Sequence, residues 1–258
     1  YPMACSMEFF HSATLLHDDI LDGAELRRGR PSAHLVYGVT RTILAGDVLL
    51  ALGNRLVAQY GVADLTLSVS EAIMSTATGE ILEISHVRNP DLSVEEYLEI
   101  VTGKTAYLIQ ASCRCGALLA GASQDLVDAA ALFGLSLGIA FQLVDDALDY
   151  AASKESTGKP VGADLREGKL TLPLLLYLKD QSDSERQAFA KNFTEDSMDG
   201  PYVEALAARV RDNGYALRTR EMAAEYVAEA EAALMRFPDS PEKEVLRQAL
   251  AFVLSRDN

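Results

Sequence analysis

The sequence predicts an all-α protein, on three observations. Long segments rich in Ala, Leu, Glu and Ile recur along its 258 residues, the composition of helices rather than strands. Few runs show strict alternation or β-branched density. Helix punctuation separates the segments: Asn89 and Pro90 stop one helix, Ser93 with Glu96 offers a capping box for the next, and Pro238, Ser240 and Pro241 divide the last two.

On this basis helices are expected at about 2–22, 32–60, 63–86, 93–121, 124–151, 171–180, 183–193, 200–213, 215–236 and 239–256. With 49% hydrophobic residues the chain can bury a large core, so residues 1–258 read as one domain. It opens at Tyr1, without Met, directly into the apolar run MACSMEFFHSATLLH. The expectation is a piece of a larger protein whose N-terminal helices are missing.

A net charge of −15 argues against an electrostatic footprint for nucleic acid or an anionic membrane surface, which would require clustered cations. Cys5, Cys113 and Cys115 are too few and too unevenly spaced for a disulfide framework or a thiolate metal site, which suits a reducing, cytoplasmic setting. Neither a membrane span nor a secretory leader is expected.

Two aspartate clusters carry the chemistry. LLHDDILD places Asp18 and Asp22 one helical turn apart on one face, with Asp19 beside them, and FQLVDDALD repeats the pattern with Asp145, Asp146 and Asp149. Like charges at that spacing, set among leucines and valines, need a cationic partner. Hard divalent ions such as Mg²⁺ take carboxylate oxygens and keep positions for water and phosphate. The bland alternative, a solvated helix terminus, suits one cluster better than two. Each cluster is also followed by a loop with cations, Arg27 and Arg28 in GAELRRGRPS, and Lys159, Arg166 and Lys169 beyond Asp149. Metals and basic side chains together suit a diphosphate.

Other polar residues are open to two readings. Lys104 in the GKT triplet, with Thr105, is no P-loop, because the required upstream Gly and strand are missing; alone it also reads as a snorkelling surface residue. Gln142 sits one turn before Asp145 and either reaches the same site or satisfies a core backbone group. His11 shares nearly the same face as Asp18, though a lone histidine in an apolar helix is more often a satisfied core residue. Asp47, Glu80 and Glu83 are acidic residues in helices that otherwise read as buried, and composition does not assign them.

Taken in order, HDDILD with LRRGRP, GKTA, and FQLVDDALD with TGKPVGADLREGKLTLP resemble the trans-prenyl diphosphate synthase family, particularly its medium- and long-chain polyprenyl members. The resemblance runs from about Cys5 to Pro173, with a weaker helical match beyond; the family's upstream Gly-Gly-Lys-x-x-Arg-Pro segment is not in this chain. It implies an isoprenoid-synthase bundle of about ten or more helices around a central apolar cavity, and a homodimer. It implies Asp18, Asp22 and Asp145 as direct ligands of about three Mg²⁺ ions, with Asp19, Asp146 and Asp149 completing the clusters. Arg27, Lys104, Lys159, Lys169 and Gln142 would serve the allylic diphosphate, Arg28 and His11 isopentenyl diphosphate, and Thr105 the reacting carbons.

The implied reaction is ionisation of the allylic carbon–oxygen bond and 1'-4 condensation with isopentenyl diphosphate, the released diphosphate taking the last proton. The family's chain-length ruler falls on Ala13 and Thr14, both small, with Phe10 deeper along the helix; this leans toward a product of about twenty carbons or longer. Three further readings are a class I terpene cyclase, whose second metal motif normally mixes Asn, Ser or Thr with Glu; a metal-dependent phosphohydrolase using His17 and Asp18, which should have further His ligands where only His34 and His86 remain besides His11; and a non-catalytic regulatory subunit, which should lose aspartates or cations that this chain keeps.

Overall fold

The computed structural model describes residues 1–151 and 162–256. Those residues form an α-helical bundle, in chain order α1 (Pro2–Leu21), a hairpin of β1 (Leu26–Arg27) and β2 (Arg30–Pro31), α2 (Ala33–Tyr37), α3 (Val39–Ala58), α4 (Ala63–Ser85) and α5 (Val94–Val101). A π-helical turn (Thr102–Ala106) leads into α6 (Tyr107–Leu119) and the long α7 (Gln124–Ala151). Then come α8 (Ala163–Arg166), α9 (Leu172–Lys179), α10 (Asp183–Thr194), α11 (Gly200–Asp212), α12 (Tyr215–Leu234) and α13 (Pro241–Ser255).

Local chemistry explains the boundaries. Ser93 accepts from the Glu96 backbone N–H at 3.1 Å while Glu96 accepts from Ser93 N–H at 2.8 Å, the expected capping box. Ser240 Oγ accepts from Lys243 N–H at 3.1 Å and starts α13. The helix expected over 32–60 is two, because Gly38 adopts φ 85°, a conformation open to glycine, and breaks the run. The small hairpin was not foreseen; its turn residues Arg28 and Gly29 both take positive φ, 52° and 74°.

The helix expected over 93–121 is also interrupted. Gly79 of α4 and Gly103 meet backbone to backbone: a Cβ on Gly79 would lie 2.5 Å from the Lys104 nitrogen. This approach accompanies the wide π turn, a feature common at functional sites.

α7 is the axis of the core, packed by α12 on one side and α6 and the π turn on the other. Gly134 and Gly138 admit that contact, since a Cβ on Gly138 would come within 2.6 Å of Ala106 Cα. Contrary to the expectation from sequence, α7 has the length and composition of a membrane span. Its most apolar stretch is 67% buried, and the helix carries Gln142 and five aspartates, as a core helix would. Leu143, Val144, Ala147 and Tyr150 are wholly buried there, each large apolar chain contributing about 1.5–3 kcal/mol.

α1 packs on α3. Ser6 Oγ donates to Gly53 O at 2.7 Å, and the Phe10 ring fills the notch left by Gly53, where a Cβ would sit 2.6 Å from ring carbon Cε1. His17 closes on Gly46 in the same way and bonds Ile43 O at 3.1 Å. The side of α1 that carries Phe10 and Ala13 is thus committed to packing.

Candidate active site

Two cavities meet at one wall. The larger, about 960 Å³, runs along α1 past Met3, Met7, His11, Thr14 and Asp18, and faces Leu108, Ser112 and Gly116 of α6. The smaller, about 150 Å³, lies behind it and is lined by Tyr97, Asp146, Asp164 and Lys169. Lys104, Thr105 and Gln142 line both.

In the first cluster, Asp18 faces the large cavity, and its carboxyl is pushed up to about 6 by burial and by Glu80, against the pull of Lys104. Asp19 turns away into the protein, where Arg27 Nε donates to it at 2.8 Å. Asp22 receives Lys169 Nζ at 3.1 Å. Lys169 also pairs with Glu167 at 2.9 Å and Glu83 at 3.5 Å. Burial alone would lower its pKa, but Glu83, Glu167 and Asp22 together hold it above the usual lysine value.

Lys104 rises from the π turn into the two carboxylates that the sequence left unassigned. Its Nζ lies 2.7 Å from Glu80 and 2.6 Å from Glu83, and those partners outweigh burial to raise its pKa. The signal was present in the sequence as two acids at i, i+3 on a largely apolar helix.

In the second cluster the three aspartates point to different tasks. Asp145 meets Arg256 Nη2 at 2.9 Å, and that guanidinium lies 4.4 Å over the Phe141 ring. Asp146 is buried and accepts from Gln142 Nε2 at 2.8 Å and from the Tyr97 hydroxyl; burial pushes its carboxyl up to about 7. Asp149 accepts the backbone N–H groups of Ala163 at 3.0 Å and Asp164 at 3.2 Å, which fixes the start of α8; burial raises it against those bonds. Asp164 is a further buried carboxyl, raised by burial and by Asp146. Neither Asp164 nor Arg256 was singled out from the sequence.

The structure therefore brings together Asp18, Asp22, Lys104, Thr105, Gln142 and Lys169, with His11 and Arg27 on the same large cavity. Arg28 stands exposed at the hairpin tip. Lys159 lies outside the described residues. Of the expected ruler residues, Thr14 lines the large cavity, whereas Phe10, packed on Gly53, and Ala13 are buried and are not part of its lining. One residue along a helix is a rotation of about 100°, so adjacent positions at similar depth face different walls.

A family model described as polyprenyl synthetase matches residues 1–210. The chain is 35% identical over 255 residues to octaprenyl diphosphate synthase of Escherichia coli strain K12, covering 99% of this chain and 79% of that protein. It is 36% identical over 251 residues to nonaprenyl diphosphate synthase of Mycobacterium tuberculosis, covering 97% and 74%. Among solved structures, a polyprenyl synthase from Caulobacter crescentus complexed with calcium and isoprenyl diphosphate matches with TM-score 0.92 at 36% identity, over 100% of this chain and 78% of that one. A decaprenyl diphosphate synthase from Rhodobacter capsulatus matches with TM-score 0.94 at 33% identity, over 100% and 79%.

Proposed function

This chain belongs to the polyprenyl synthetase family and is a transferase of prenyl groups; from that premise we propose how its site joins isopentenyl diphosphate head-to-tail to an allylic diphosphate. The observation that carries the reading is the shared wall of the two cavities, where Asp18, Lys104, Thr105 and Gln142 converge.

Among the described residues no three His, Cys, Asp or Glu side chains come together to hold a metal ion unaided. One or two carboxylates completed by water and phosphate oxygens are what Mg²⁺ accepts, so Asp18, Asp22 and Asp145 fit about three ions shared with a diphosphate. When bound, the ions draw charge onto the departing diphosphate and favour ionisation of the allylic carbon–oxygen bond.

The chain's own side chains do the rest. Of the three N–H donors on Lys104, Glu80 and Glu83 engage two among the described residues, which leaves a third for a diphosphate oxygen. Lys169 and Arg27 add positive charge beside Asp22 and Asp19. Arg28 and His11 are assigned to isopentenyl diphosphate, and Lys159 to the allylic diphosphate. Apolar walls from Leu108, Ile109 and Phe141 keep water from the electron-poor carbon. The cavity extends beyond Thr14 to Met7 and Met3, which supports a product of about twenty carbons or longer.

A homodimer is supported by apolar stripes left uncovered on α3, at Leu44 and Val48, and on α4, at Leu67, Met74 and Ile81. The three cysteines are unpaired, which suits a cytoplasmic location.

The test is incubation of the full-length protein with Mg²⁺, labelled isopentenyl diphosphate and farnesyl diphosphate, followed by phosphatase treatment and chromatography. A ladder ending in one dominant prenyl alcohol is expected. Cyclic hydrocarbons, or no turnover at all, would overturn the reading in favour of a cyclase or a regulatory subunit.

A further inference from the structure

Four polar groups on the wall of the smaller cavity form one hydrogen-bonded chain. The Tyr97 hydroxyl donates to Asp146 Oδ2, Gln142 Nε2 donates to Asp146 Oδ1 at 2.8 Å, and Thr105 Oγ1 donates to Gln142 Oε1 at 3.1 Å. Tyr97 is 3% exposed and Asp146 5%, so water does not compete for the bond between them. The tyrosine's own proton is the one it offers to Asp146.

The direction of the chain follows from its ends. The Gln142 amide turns its NH₂ to Asp146 and its carbonyl to Thr105. A carbonyl only accepts, so Thr105 must donate its proton to it. The Thr105 oxygen then keeps lone pairs, and no proton, for the large cavity that it also lines. Where carbon becomes electron-poor, a fixed lone pair stabilises and a fixed proton does not.

Backbone packing sets the register. The Gly138–Ala106 contact presses α7 onto the π turn one helical turn from Gln142, next to Thr105. Tyr97 comes from α5, outside both aspartate clusters, and it does not line the large cavity.

We propose that Tyr97 is a positioning residue for prenyl transfer: by donating to Asp146 it locks the Gln142 amide, and so turns the lone pairs of Thr105 toward the reacting carbon. This rests on the reading of the large cavity as a prenyl-transfer site. Without the hydroxyl, Asp146 keeps one oxygen buried and unsatisfied, and Gln142 is free to shift between the two carboxylate oxygens.

Steady-state kinetics of the full-length protein, with thermal unfolding measured alongside, test it. Tyr97→Phe should lower kcat by about 10- to 100-fold with KM for both substrates within about twofold. In a Thr105→Val background, which has no hydroxyl to orient, the same substitution should cost no more than about twofold; in a Thr105→Ser background the full loss should return. An unchanged kcat in Tyr97→Phe, or the same fold-loss in the Thr105→Val background, would overturn the proposal. Absence of prenyl transfer by the unsubstituted protein would instead overturn the site reading itself.

Discussion

One oxygen of Glu83 serves both lysines of the site: Oε2 lies 2.6 Å from Lys104 Nζ and 3.5 Å from Lys169 Nζ. The carboxylate ties the π turn and the segment before α9 to α4, and sets how far apart two cations stand. In Glu83→Gln both lysines lose their shared charge partner while keeping the same burial, and their pKa values fall. A charge-assisted bond is worth about 1.5–3 kcal/mol. The KM for the allylic diphosphate should therefore rise roughly tenfold or more, with a smaller change for isopentenyl diphosphate. Equal KM values in the variant and the parent would remove Glu83 from this role.

Asp18 and Asp146 give the metal-free protein a pH signature. Their carboxyl pKa values rise from 3.8 to about 6 and about 7, chiefly through burial. The folded chain holds these protons more tightly than the unfolded chain, so their stabilising contribution is present below about pH 4 and lost as pH rises through 6 and 7. In EDTA the unfolding midpoint should drop across that window, and Asp18→Asn should flatten the drop. Mg²⁺ should raise the midpoint more at pH 7 than at pH 5, because an ion at Asp18 competes with a proton. A metal-induced shift independent of pH would contradict the assignment. The same Asp18→Asn variant should lose about 10³-fold in kcat with its helicity intact by circular dichroism.

Gly79 is the contact on which the π turn leans. A methyl group there would sit 2.5 Å from the Lys104 nitrogen, which is backbone and gives way only if α4 moves. Gly79→Ala should destabilise the protein by about 1–3 kcal/mol in urea unfolding, and lower kcat by more than the stability loss explains, since Lys104 and Thr105 move with the turn. Wild-type turnover in a folded Gly79→Ala protein would separate the contact from the chemistry.

Thr14, proposed as a ruler position, lines the large cavity with residues of α6. Thr14→Phe should shorten the dominant product by one or more isoprene units, read from the same chromatographic ladder. Ala13→Phe should act on stability instead, because Ala13 is fully buried on the packed side of α1. An unchanged product from Thr14→Phe would place the length stop elsewhere.

Much of this was legible in the sequence because the signals are local. Helices 63–86 and 124–151 differ from the structure by at most a residue at an end, and Ser93 with Glu96 caps α5 as read. Asp18 and Gln142 were placed because each sits at a fixed offset on a regular helix, and Lys104 and Thr105 because they stand together in one short motif. What escaped is set by contacts between distant segments. The π turn needs Gly79 against Gly103, and no pattern within 93–121 announces it. Arg256 reaches Asp145 from the far end of the chain, and Tyr97 reaches Asp146 from another helix. That Phe10 and Ala13 are buried while Thr14 lines the cavity was not legible from depth along α1 alone, because the side of a helix that faces a cavity is decided by what packs on the other side.

A π turn is an α-helix carrying one extra residue, absorbed locally so that the flanking turns keep their faces. Loss of a single codon within 102–106 would therefore let α5 and α6 join as one regular helix, each still showing its apolar side to the core. The bundle would survive such a deletion better than the lysine and threonine would. In a gene family that drifts by small insertions and deletions, this is a place where descendants can retain the architecture while shedding the reaction.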